Sequence, residues 1–169
     1  MDVWAVVLRI IHIVAGVLWV GGAGLFFFYL EPAINKLGPD AEKFVDEVVD
    51  RRKVPIYFVA LSTLTVLAGV ILYWRDFGAA IDTSPFGLAL GLGGLAALIA
   101  WLGGNLLIPR TLGKLMAIGA EMKASAGPPP AELVSRMHAT QERLRTIGMI
   151  DIALLLFAVI AMASARYLQ

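Results

Sequence analysis

The chain has 169 residues, of which 59% are hydrophobic, with a mean hydropathy of +0.80 and a net charge of +1. Ordinary soluble domains carry ~45–50% apolar residues, so the composition excludes that class, and the near-neutral charge argues against a nucleic-acid partner. The absence of cysteine removes disulfides, thiolate metal sites and cysteine nucleophiles together.

Four apolar spans follow one another, at about residues 4–30, 54–74, 86–108 and 147–165. Each is long enough to cross ~30 Å of hydrocarbon as a helix, and runs of this length in lipid must satisfy their backbone internally. The expected fold is all-α: a single polytopic membrane domain built as a four-transmembrane-helix bundle. The start, Met1-Asp2-Val3-Trp4, lacks the basic region and short apolar run of a cleavable signal, so the first span is expected to remain as an anchor.

The first span runs from Trp4 to Leu30 and is closed by Glu31-Pro32. Residues 31–53 then form a charged link, in which Phe44, Val45, Val48 and Val49 recur at helical spacing and predict an amphipathic helix. The turn from Arg75 to Pro85 joins the second and third spans. A second long link covers 109–146. Its run Pro128-Pro129-Pro130 separates an extension of the third span, reaching Lys123, from a helix that runs straight into the fourth.

Lys36, Lys43, Arg51, Arg52, Lys53, Arg110, Lys114, Lys123, Arg136, Arg143 and Arg145 all fall in the two long links, against only Arg9, Arg75 and Arg166 at the opposite ends. The positive-inside rule therefore predicts cytoplasmic links and both termini outside. Trp4, Tyr73, Trp74 and Tyr167 would form the outer aromatic belt.

The sequence reads as two repeated hairpins. Trp19-Val20-Gly21-Gly22 is echoed by Trp101-Leu102-Gly103-Gly104, and each span meets a proline, Pro32 or Pro109, near the links.

His12 is the principal functional candidate. An imidazole can hold haem b or copper or relay a proton, with Met162 on the fourth span as a second ligand at compatible depth. The alternative is a histidine near the outer end, hydrogen-bonded to a backbone carbonyl or to Ser164. Asp151 is the other ionisable group within a span. Glu31, Asn105 and Arg110 lie at similar depth and would complete a structural polar cluster, with Asn105 or Arg110 as its partner. Arg9 is expected to snorkel to the outer surface. Ser62, Thr63 and Thr65 can satisfy their hydroxyls on their own helix.

The string Leu8-Arg9-Ile10-Ile11-His12 followed by Trp19-Val20-Gly21-Gly22 resembles the opening of the CopD-like family of bacterial inner-membrane proteins. More distantly, it is similar to the HemJ type of protoporphyrinogen oxidase, as are Arg51-Arg52 and Gly69-Val70-Ile71-Leu72. The resemblance covers roughly the first 75 residues and implies a bacterial inner-membrane location with copper or haem handling. The third span has neither histidine nor lysine where HemJ carries a functional lysine, and the chain is not rich in Met and His as copper transfer requires.

With no phosphate loop, HExxH string or paired catalytic carboxylates, the sequence points away from an enzyme. It points to an accessory or binding subunit of a larger membrane assembly, with other membrane subunits or a second copy as partners besides the lipid bilayer. A haem or copper protein built on His12, and a small ion or proton transporter built on Asp151, are the alternatives.

Overall fold

The computed structural model describes residues 2–78, 82–125 and 127–168, apart from the side chains of Pro39 and Asp50. It is all-helical. Four helices are long and apolar enough to cross a membrane: α1 (Val3–Leu37), α3 (Val54–Phe77), α4 (Pro85–Ala124) and α5 (Ala131–Ala165). A short helix in the first link, α2 (42–51), is the expected amphipathic element. The chain is a polytopic membrane protein.

The helices run alternately up and down, so the two termini and the turn after α3 share one end, and the two long links share the other. The closest pairings are α1 with α3 and α4 with α5, two hairpins that pack side by side. That is the expected 2+2 arrangement. Trp19, Ala100 and Leu155 are buried where the hairpins meet, with Phe58 and Leu61 of α3 packed around them. Small residues let the backbones approach. A Cβ on Gly93 would stand 3.2 Å from the Ala158 carbonyl oxygen, and one on Gly22 would stand 3.2 Å from the Phe58 ring. In lipid such close packing replaces the hydrophobic drive of soluble cores. Large apolar side chains such as Val17, Ile56, Leu67, Leu92 and Ile160 are exposed on the outside, as a lipid-facing surface requires.

Pro32 does not end the first helix. α1 widens into a π-helical turn at Phe26–Leu30 and continues through the proline to Leu37. α4 does the same, with a π-helical turn at Gly103–Leu107 ahead of Pro109 and continuation to Ala124. Proline lacks the N–H that an α-turn would use, and a wider turn makes room for its ring. In each helix the proline stands two residues beyond the π-turn, so the proline spacing carries the repeat. The Trp-x-Gly-Gly strings do not: Trp19 precedes its π-turn by seven residues and Trp101 by only two.

Both ends are fastened by polar groups. Asp2 caps α1 and lies 3.5 Å from Arg75. Arg9, rather than standing alone in the interface, pairs with Asp76 at 3.6 Å. Asp82 accepts from the Ser84 amide and hydroxyl, and Ser84 caps α4 through the Gly87 amide. At the link end Lys123 pairs with Glu42, and Arg136 with Glu121. Lys53 enters α3 with φ +54°, a left-handed conformation unusual for a side-chain-bearing residue.

Candidate functional site: a polar line through the bundle

His12 faces α3. Its Nδ1 lies 2.8 Å from the backbone carbonyl of Thr65. A carbonyl can only accept, so Nδ1 carries a proton, and the neutral form of the ring keeps its lone pair on Nε2. The ring fills a notch at Gly69, where a Cβ would stand 2.8 Å from its Cε1. Of the two structural partners expected for the histidine, the backbone carbonyl is the one found. Ser164 instead donates to the Ala161 carbonyl of its own helix. The histidine also lies deeper than expected, because Thr65 is at the middle of α3.

From Thr65 the polar side chains continue toward the link end. Thr65 and Ser62 donate to the carbonyls of Leu61 and Val59 on their own helix, as expected. Ser62 and Thr63 also reach α4. The Trp101 indole N–H donates to Thr63 Oγ1 at 3.2 Å, and Asn105 Nδ2 donates to Ser62 Oγ at 3.2 Å and to the Trp101 carbonyl at 2.8 Å. These bonds pin the two hairpins together across the α3–α4 face.

Asp151 lies on α5 against the π-turn of α4. A Cβ on Gly103 or Gly104 would stand 3.6 or 3.8 Å from its Oδ1, in ordinary contact, so the two glycines border the carboxylate. The residue is 9% exposed, and Oδ1 is buried with no hydrogen-bond partner among the described residues.

Of the four residues expected to cluster, Arg110 and Asp151 share a crevice, and Asn105 and Glu31 turn elsewhere. Asn105 turns to Ser62, not to Asp151. Arg110 makes no ion pair with Asp151, although both line one crevice of about 350 Å³ between α4 and α5. Glu31 lies nearer Arg145 and Glu142 of α5. Met162 packs on Gly93 of α4, whereas His12 packs on α3, so the two proposed ligands are held by different helices. Among the described residues, no group of three or more His, Asp or Glu side chains is arranged to hold a metal.

Sequence reasoning missed the π-turns, the Gly69 notch and the role of Ser62 and Thr63 as acceptors from α4. The signals were present as a proline at the same place in two helices and a glycine one turn beyond Thr65. Compared with known proteins, the chain matches no family profile, no curated protein and no solved structure.

Proposed function

We propose that this polytopic protein handles protons, with Asp151 as the group that takes up and releases them and His12 as the second titratable group on the path. The observation that carries the reading is the buried Oδ1 of Asp151, which has no hydrogen-bond partner among the described residues. An ionisable group placed in a membrane span without a partner is expensive to keep, and a proton is the smallest ligand that relieves it. Asn105, Ser62, Thr63 and Thr65 supply polar atoms between the level of Asp151 and His12. His12 in turn lies three residues from Arg9, which reaches Asp76 at the terminal end. Waters between these groups would complete a relay, and His12 with a free Nε2 can pass a proton through its ring.

Infrared difference spectroscopy of the purified protein tests the assignment. A protonated-carboxyl C=O band that titrates in the wild type and is missing in Asp151→Asn supports it. No titrating band attributable to residue 151 would refute it.

A second reading follows from the resemblance to CopD-like proteins. The Nδ1–H bond to Thr65 orients the imidazole with Nε2 as the ligand atom, the arrangement that metal-binding histidines use. Haem b or copper would then be held by His12, with Met162 contributing only if α5 presents it toward α1. An absorption spectrum of the purified protein decides this, since a Soret band would establish haem and a colourless, copper-free protein would dismiss the reading. The accessory-subunit role requires a protein partner on the lipid-facing surface, and the buried carboxylate favours proton handling over it.

A further inference from the structure

The crevice between α4 and α5 combines features that the proton reading does not use. Its walls are apolar, with Ile99, Leu102 and Leu106 from α4 and Ile150 and Leu154 from α5. Ile99, Leu102, Leu106 and Ile150 are 45–57% exposed on the lipid-facing surface, so the crevice opens sideways into the bilayer rather than into a sealed core. Two polar groups interrupt the walls. Arg110 stands toward the link end and has no ion pair among the described residues. Asp151 lies deeper, level with Gly103 and Gly104; it lines the crevice, and among the described residues its carboxylate accepts no hydrogen bond. At 1.5 Å per residue, the six to seven residues of α4 between these levels correspond to ~10 Å, a gap that the arginine side chain shortens because helical side chains lean toward the N-terminus, here toward Gly103.

An occupant must therefore offer an anion to Arg110, a hydrogen-bond donor a few ångströms deeper, and an apolar body toward Ile99 and Leu154. We infer that the crevice binds a monoacyl phospholipid, its phosphate on Arg110, its free glycerol hydroxyl donating to Asp151 and its chain along the apolar walls. A diacyl lipid has no free hydroxyl at that depth, and a fatty acid has no donor beyond its own headgroup. The volume of about 350 Å³ lies at the lower end of the ~300–1,000 Å³ range of small-molecule sites, enough for the head-proximal part of one chain. This inference does not depend on proton movement. It requires only that the Asp151 carboxylate borders the crevice.

Native mass spectrometry of the delipidated, detergent-solubilised protein tests it with four probes: lysophosphatidylglycerol, the same lipid with its sn-2 hydroxyl methylated, a monoacylglycerol, and inorganic phosphate. Saturable one-to-one binding of the first is expected. Methylation should weaken binding about tenfold, because the lost hydrogen bond is to a charged acceptor. Monoacylglycerol and phosphate alone should each bind at least about tenfold more weakly, as should the first probe to Arg110→Gln. In Asp151→Leu the methylated and unmethylated lipids should bind alike. Equal binding of both lipids to the wild type would overturn the inference even if every variant failed to fold. So would binding undiminished in Arg110→Gln, or no saturable binding at all. The infrared titration of Asp151 is read without added lipid, so failure of this site and failure of the proton reading are separable.

Discussion

His12 donates from Nδ1 to the Thr65 carbonyl at 2.8 Å, in a notch that exists because residue 69 is glycine. One bond and one missing methyl group thus set how α1 lies on α3 at mid-bundle. The first prediction follows directly. Gly69→Ala would bring a Cβ within 2.8 Å of the imidazole and should destabilise the protein by ~1–3 kcal/mol, the usual range for overpacking. The loss should shrink in the His12→Ala background, where the ring is gone. Unfolding titrations of the two single variants and the double variant give the coupling, and strictly additive losses would show that the ring is not where we place it.

Asp151 should behave unlike half of a buried ion pair. Breaking such a pair typically costs ~3–5 kcal/mol, but this carboxylate makes no ion pair among the described residues. Asp151→Leu is therefore expected to be neutral or mildly stabilising in the delipidated protein, and additive with Arg110→Leu within ~0.5 kcal/mol. A loss above ~2 kcal/mol for Asp151→Leu alone would mean that the carboxylate holds the bundle together. A residue that weakens its own fold is a mark of function rather than structure.

The gross architecture was legible in the sequence because apolar run length alone decides how many helices can span, and basic residues crowd into two links. The helix through 42–51 and the break at Pro128-Pro129-Pro130 were legible for the same kind of local reason. Interhelical partners were not. Asn105 and Asp151 have similar depth, but depth leaves the rotation of each helix about its axis undetermined, and Asn105 turns out to face Ser62 on α3. Pro32 reads as a helix end because an α-turn cannot use it, whereas the π-turn at Phe26–Leu30 accommodates it. The depth of His12 follows from its partner, the Thr65 carbonyl at the midpoint of α3, which position along α1 alone does not fix.

Lys53 offers a test of local strain. A left-handed conformation costs a side-chain-bearing residue ~1–2 kcal/mol, and glycine removes that cost while losing ~0.5–1 kcal/mol more in chain entropy. Lys53→Gly should raise stability by up to ~1 kcal/mol, read as a shift of the unfolding midpoint. A clear loss of stability would show that the lysine side chain contributes something the backbone angle does not reveal.

The crowding of Lys and Arg into the two long links predicts that they face the cytoplasm. Cysteines introduced at Lys43 and Lys123 should react with an impermeant reagent only when it has access to the cytoplasmic side. Labelling of either from outside intact cells would invert the topology.

Proton flux through reconstituted liposomes tests the central claim most directly. With a pH-sensitive dye trapped inside, wild-type protein should dissipate an imposed proton gradient faster than protein-free liposomes. Asp151→Asn, incorporated to the same level and equally stable, should fall to the protein-free rate, and His12→Gln should slow the flux. Flux in Asp151→Asn equal to that of the wild type would contradict the account, whatever the carboxylate's protonation state.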